Sequence, residues 1–189
     1  MNIIVLGLGN ILLRDEGVGV RVIEALAERY TLPMEIEVVD GGTVGMDLLD
    51  TLAGCDHLLI CDAVQTGAPP ASVVKLADAE VPALFQTRFS PHQLGLAEVL
   101  ATLILMEEAP KAITLIGVVP ADMELGAELS PEVAAVIDPA VEALVAELRG
   151  LGFALTPRLA PTEEDAHDRF SPTPCLLPDW EESAFKTIH

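Results

Sequence analysis

The sequence predicts an α/β protein: a three-layer α/β/α sandwich around a mainly parallel five-stranded sheet. Two features point there. Short apolar runs of strand length recur through residues 1–150, several of them closed by glycine or an acid. Between them lie longer stretches whose apolar residues repeat at helical spacing, and strands joined by helices make parallel sheets covered on both faces. A length of 189 residues suits one domain with a sizeable core.

The elements follow in order. IIVLG, residues 3–7, is a buried strand ending in glycine. In the next segment, 18–30, Val18, Val22, Ile23, Leu26 and Ala27 line one side of a helix, with Arg21, Glu24, Glu28 and Arg29 on the wet side. IEVVDGG, 36–42, is a second strand stopped by two glycines. Residues 43–54 read as a helix with Thr43 as N-cap and Gly54 near its end. HLLICDA, 57–63, is the third strand, and SVVKLAD, 72–78, the fourth, after the turn-forming GAPP. Ser90-Pro91-His92 opens a long helix, with serine as N-cap and proline at its first position. KAITLIGVVP, 111–120, is the fifth strand. Ser130-Pro131-Glu132 opens the last helix, which Pro139 should bend or interrupt. The predicted domain is 1–152. Residues 153–189, rich in proline and acids, read as a poorly ordered extension in which Phe170, Leu176, Leu177 and Trp180 are the candidate docking residues.

The net charge of −20 is carried mainly by the body, and it argues against nucleic acid and anionic membrane as partners, since both call for a basic patch. It is compatible with a cation, a basic protein partner, or simple solubility. Cys55, Cys61 and Cys175 form no CxxC pair, so neither a disulfide framework nor a thiolate zinc site is expected. MNIIVLGLGN lacks the basic region and cleavage signal of a secretory peptide. The longest apolar stretch, 94–106, is too short to span a bilayer and contains Glu98. A cytoplasmic protein is expected.

GLGNILLRDEGVG, 7–19, resembles a dinucleotide loop at first sight. Gly7 and Gly9 match the GxGxxG fingerprint and Asp40 occupies the place of a ribose-binding acid, but Leu12 stands where the third glycine belongs. Asp15 and Glu16 would occupy or repel the anion site at a helix N-terminus. No P-loop GKS or GKT is present. The strand ends offer another reading. Glu16 follows strand one, Asp62 ends strand three, and His92 starts a helix near the same edge. Ligands of open α/β sheets bind at that edge. Two carboxylates and an imidazole suit a divalent metal, nitrogen favouring nickel or zinc over magnesium or calcium. Each residue also has a plain structural reading: Asp15 and Glu16 complementing a helix dipole, Asp62 capping a loop, His92 an ordinary first-turn residue. Asp40 reads as an Asx-type turn with Gly41 and Gly42. Cys61 should alternate to the face opposite Asp62 and is no ligand. His57, His167 and His189 have no partner that the sequence identifies.

Four segments in order, GLGNILLRDEGVG, VVDGGTVGMDLL, LLICDAV and FSPHQLGL, resemble the serial motifs of the hydrogenase maturation proteases. The resemblance runs from residue 2 to about 150 and leaves the extension uncovered. It implies an α/β/α sandwich around a twisted five-stranded sheet. It also implies an endopeptidase that removes a short C-terminal extension from the large-subunit precursor of a nickel-iron hydrogenase once nickel is in place. Removal lets the mature C-terminus close over the bimetallic centre. The metal implied is the substrate's own nickel, used as recognition signal, with no permanently bound metal. The family's metal-contacting residues fall on Glu16, Asp62 and His92, and the acid of its DGG motif, implicated in nickel-dependent recognition, on Asp40. The first of these positions is aspartate in some members and glutamate in others, so Glu16 is no departure. An aspartic-type enzyme acting as a monomer is expected, and no serine–histidine–acid set or HExxH zinc motif is present. Two other classes stay open: a non-catalytic nickel-sensing chaperone of the same precursor, which would bind it and release no peptide, and a nucleotide-binding protein, which ligand would stabilise thermally.

Overall fold

A computed structural model describes residues 1–42, 46–78, 80–81 and 91–158, except for the side chains of Pro91 and His92. Five strands form one sheet: β1 (Ile3–Leu8), β3 (Ile36–Gly42), β4 (His57–Ala63), β5 (Val73–Ala77) and β6 (Ile113–Val118). Their order is β3-β1-β4-β6-β5. β1 pairs in parallel with β3 and β4, β4 pairs in parallel with β6, and β5 closes the edge antiparallel to β6. The mainly parallel five-stranded sheet is as expected, with this one reversed edge.

Alternation along the strands creates two cores. Ile3 and Val5 of β1, with Leu59 and Cys61 of β4, pack against α1 (Val18–Arg29). The same layer receives Val141, Leu144, Val145 and Leu148 of the last helix. Ile4, Leu6, Leu58 and Ile60 point the other way, against α2 (Leu49–Leu52) and α3 (Pro91–Leu105), which supply Leu52, Leu96, Val99 and Leu103. These are the two outer layers of the sandwich. β4 is buried throughout because it lies between β1 and β6 and is covered on both faces.

Two details depart from the sequence reading. The last helix is two helices, α4 (Pro131–Ala134) and α5 (Ile137–Gly150). Pro139 lies in the first turn of α5, where its missing N–H removes no hydrogen bond, so the break falls ahead of it. Ser130 caps α4 as expected, its Oγ accepting from the Val133 amide at 3.3 Å. The body does not end at Gly152. Leu155 is buried in the first core, Phe153 packs against it, and β7 (Thr156–Pro157) pairs antiparallel with β2 (Tyr30–Thr31). The compact unit runs from Met1 to Arg158. The predicted caps Thr43 and Ser90, and the candidate docking residues Phe170, Leu176, Leu177 and Trp180, lie outside the described residues. Among the described residues, no helix is long and apolar enough to cross a membrane.

Candidate active site

The site lies where the sheet changes direction. From β1 the chain crosses to β3 on one side, and it returns to β4 on the other. The carboxyl ends of β1 and β4 are therefore flanked by loops that lead to opposite sides, the place where ligands of open α/β sheets bind.

Steric limits build the loop after β1. Gly9 has φ +121, and a Cβ there would fall 1.8 Å from the Glu16 carbonyl oxygen. Only glycine lets the chain fold back so tightly. Asn10 holds the next turn, its Oδ1 accepting from the Leu12 amide at 3.0 Å and its carbonyl from the Leu13 amide at 3.0 Å. A 3-10 turn, Arg14–Gly17, then carries both acids before α1 begins at Val18. Gly19 lets the first turn of α1 settle on the strand ends, since a Cβ there would lie 2.1 Å from the Cys61 carbonyl oxygen. The close packing reserved for a dinucleotide loop's third glycine thus belongs to Gly19, while Leu12 turns outward. The glycines serve packing, and the nucleotide reading loses its basis.

The two neighbouring acids do different work. Asp15 is fully buried, and its carboxylate accepts from the Ala121, Asp122 and Ser130 amides and the Ser130 hydroxyl at 2.7–2.9 Å. Burial is the largest single influence and acts to raise its pKa, yet the hydrogen bonds from Ser130, Asp122 and Ala121 together hold it below the ordinary aspartate value. Asp15 is therefore a brace between the first loop and the 121–130 loop, not a complement to the α1 dipole. Glu16, 6% exposed, shares the 3-10 turn, which packs against β4.

Asp62, 1% exposed, lies on the face of β4 opposite Cys61, toward α3. Gln93 of α3 reaches it: Nε2 donates to Asp62 Oδ2 at 2.9 Å and to the Ala63 carbonyl at 3.1 Å. Gln93 is the residue the sequence reading missed. Its only signal was an amide beside His92 in the first turn of a helix aimed at the strand ends. His92 is the second residue of α3, as expected, but its side chain lies outside the described residues. Asp40, on β3 in register with Gly7, accepts from the Gly42 amide at 2.9 Å, the expected Asx-type turn. Its side chain is exposed beside the first loop, where the Gly9 amide donates to the Gly42 carbonyl. Among the described residues, no three histidines, cysteines or acids gather closely enough to hold a metal. Cys61 is no nucleophile, as burial pushes its thiol up to about 12.

A profile of the HycI family, described as hydrogenase maturation protease, matches residues 20–147. The chain belongs to the hydrogenase maturation protease family. It is 51% identical over 161 residues to the hydrogenase 2 maturation protease of Escherichia coli K12, covering 85% of this chain and 98% of that one. It is 42% identical to the hydrogenase expression/formation protein HupD of Rhodobacter capsulatus, covering 82% and 74%. The fold is that of the hydrogenase maturating endopeptidase HybD from E. coli: TM-score 0.81 and 52% identity over 84% of this chain and 98% of that structure. The hydrogenase maturation protease HybD of Thermococcus kodakarensis superimposes with a TM-score of 0.65 at 29% identity, over 78% and 99%. The chain is thus an enzyme, a peptide-bond hydrolase of hydrogenase maturation, and the non-catalytic chaperone reading falls away.

Proposed function

We propose that this endopeptidase removes a C-terminal extension from the nickel-loaded precursor of a nickel-iron hydrogenase large subunit, and that the substrate's nickel is its recognition signal. The observation that carries the reading is the placing of Glu16 and Asp62. Both are almost fully buried, and they belong to the carboxyl-end elements of β1 and β4 at the switch point of the sheet. Carboxylate oxygens suit a divalent cation, so two of them at the ligand-binding edge of the sheet support a metal-loaded substrate.

The donor chemistry fits nickel. Glu16 and Asp62 balance charge, and His92, on the helix that Gln93 ties to Asp62, supplies nitrogen. Gln93 fixes the Asp62 carboxylate, so this ligand is oriented before substrate arrives. Engaging the nickel through its open positions would hold the scissile peptide beside the carboxylates, and positioning would supply part of the rate. A carboxylate that accepts the proton of the attacking water makes the enzyme aspartic-type in chemistry. Asp40, at the rim, takes part in recognising the loaded precursor. The protein is read as a monomer acting in the cytoplasm, with no permanently bound metal.

The test is mass spectrometry of the cognate precursor, nickel-loaded and nickel-free, after incubation with the enzyme. Loss of a discrete C-terminal peptide from the loaded form alone is the expected result. Equal cleavage of both forms would remove nickel from the recognition step.

A further inference from the structure

The same loops that carry Glu16 and brace Asp15 present an apolar surface that folding does not call for. Leu13 forms an isolated parallel bridge with Gly126. The Gly126 amide donates to the Leu12 carbonyl, and the Arg14 amide to the Gly126 carbonyl, both at 2.9 Å. Leu12 and Leu125 precede the bridged residues on the two loops, and they are 61% and 83% exposed. Ile11 and Met123, on the same two loops, are also exposed. Single exposed leucines are ordinary on protein surfaces. Two beside the bridge that joins these braced loops, one of them four residues before Glu16, form a patch of the kind that marks an interaction site.

The bracing makes the patch rigid. Arg14 pairs with Asp122 at 2.9 Å, joining the two loops again, and Asp15 grips the 121–122 amides and Ser130. The charge beside the ledge is negative: Glu124 and Glu128 stand exposed on the same loop, while the nearby cations Arg14 and Arg21 are engaged with Asp122 and Glu24. A fixed apolar ledge flanked by acids, continuous with the catalytic loop, fits an extended peptide that carries an apolar side chain and positive charge.

We infer that Leu12 and Leu125 form the docking ledge for the C-terminal extension of the precursor, gripping it by an apolar residue while Glu124 and Glu128 favour basic residues beside it. The inference rests on the function proposed above. It assigns these residues to substrate binding and gives them no part in bond cleavage.

The experiment uses the nickel-loaded precursor and compares wild-type enzyme with Leu12→Ser, Leu125→Ser and the double variant. Both side chains are exposed, so thermal melting should stay near wild type. Each single change is expected to raise KM about tenfold, with kcat falling by no more than about half. Glu124→Gln with Glu128→Gln should raise KM at low salt, and the difference should shrink at high salt. A photo-reactive phenylalanine analogue in place of Leu125 should cross-link to the extension. Wild-type cleavage with unchanged KM in the double variant would overturn the ledge alone, as would cross-links that map to the folded body of the precursor or to a second copy of this chain. Failure of the wild-type enzyme to cut the loaded precursor would overturn the proposed function and the ledge with it.

Discussion

The two ends of the sheet both bury polar side chains, and they satisfy them differently. At the amino end, His57 opens β4, and its Nε2 lies 2.9 Å from Thr114 Oγ1 of β6. Thr114 donates to Glu147 of α5 at 3.3 Å, and Lys75 of β5 pairs with the same carboxylate. That chain ends in a cation supplied by the protein itself. At the carboxyl end, Asp15 is held by amides and a hydroxyl, and Asp62 by the amide of Gln93. Gln93 orients the Asp62 carboxylate at the switch point, where ligands of open α/β sheets bind, while the Asp15 hydrogen bonds brace two loops. The amino-end chain is closed within the protein as a structural device.

The sharpest way to break this contrast is to change an acid of the carboxyl end. Glu16→Gln keeps size and polarity, so cleavage of the loaded precursor should fall by about 100-fold or more with melting temperature unmoved. Normal peptide release, followed by mass spectrometry, would take Glu16 out of the mechanism. Asp15→Ala separates bracing from chemistry. It strands four donors and should cost about 3 kcal/mol in denaturant unfolding, with activity falling alongside stability. The pH dependence has a definite sign. With its folded pKa below the ordinary 3.8, Asp15 stabilises the protein above that value, and the contribution is lost as pH falls through it toward the folded pKa. Asp15→Asn should flatten that acid limb.

A smaller effect is expected from Gln93→Leu, which frees the Asp62 carboxylate to reorient. Cleavage should drop about tenfold, most of it in kcat, and an unchanged kcat would show that Asp62 needs no such support. The least effect is expected at the amino end. Burial is the main cause that lowers the pKa of His57 below 6.5. The unfolded chain then binds the proton first, so stability declines as pH falls below 6.5 toward the folded pKa. Thermal melts of His57→Gln between pH 5 and 8 should show a shallower decline, with cleavage at pH 7 little changed.

Much of this molecule is legible in its sequence where hydrophobic pattern alone decides. β3 and β4 fall on 36–42 and 57–63 as read, because their apolar runs are bounded by glycine or an acid. The direction of β5 was not legible, since period-two alternation is the same whichever way a strand runs. β2 and β7, two residues each, are too short to leave a pattern. The sequence identified Glu16 and Asp62 as strand-end acids, and both lie at the carboxyl end. It had no means of separating Asp15 from Glu16, because a 3-10 turn sends adjacent side chains in different directions and the partners of Asp15 lie more than a hundred residues away. Likewise His57 showed no partner, since Thr114 reaches it only through the β4–β6 pairing.

The crowding at Gly9 and Gly19 bears on how such a site can evolve. Glu16 is located by two close approaches, its own carbonyl against Gly9 and the start of its helix against Cys61. Exchanging the acid alters one side chain and leaves both approaches intact. Inserting or deleting a single residue between those glycines displaces both together, with no intermediate that keeps either. This loop is therefore open to drift in letter and closed to drift in length, and a lineage can exchange the acid at position 16 without ever being able to move it.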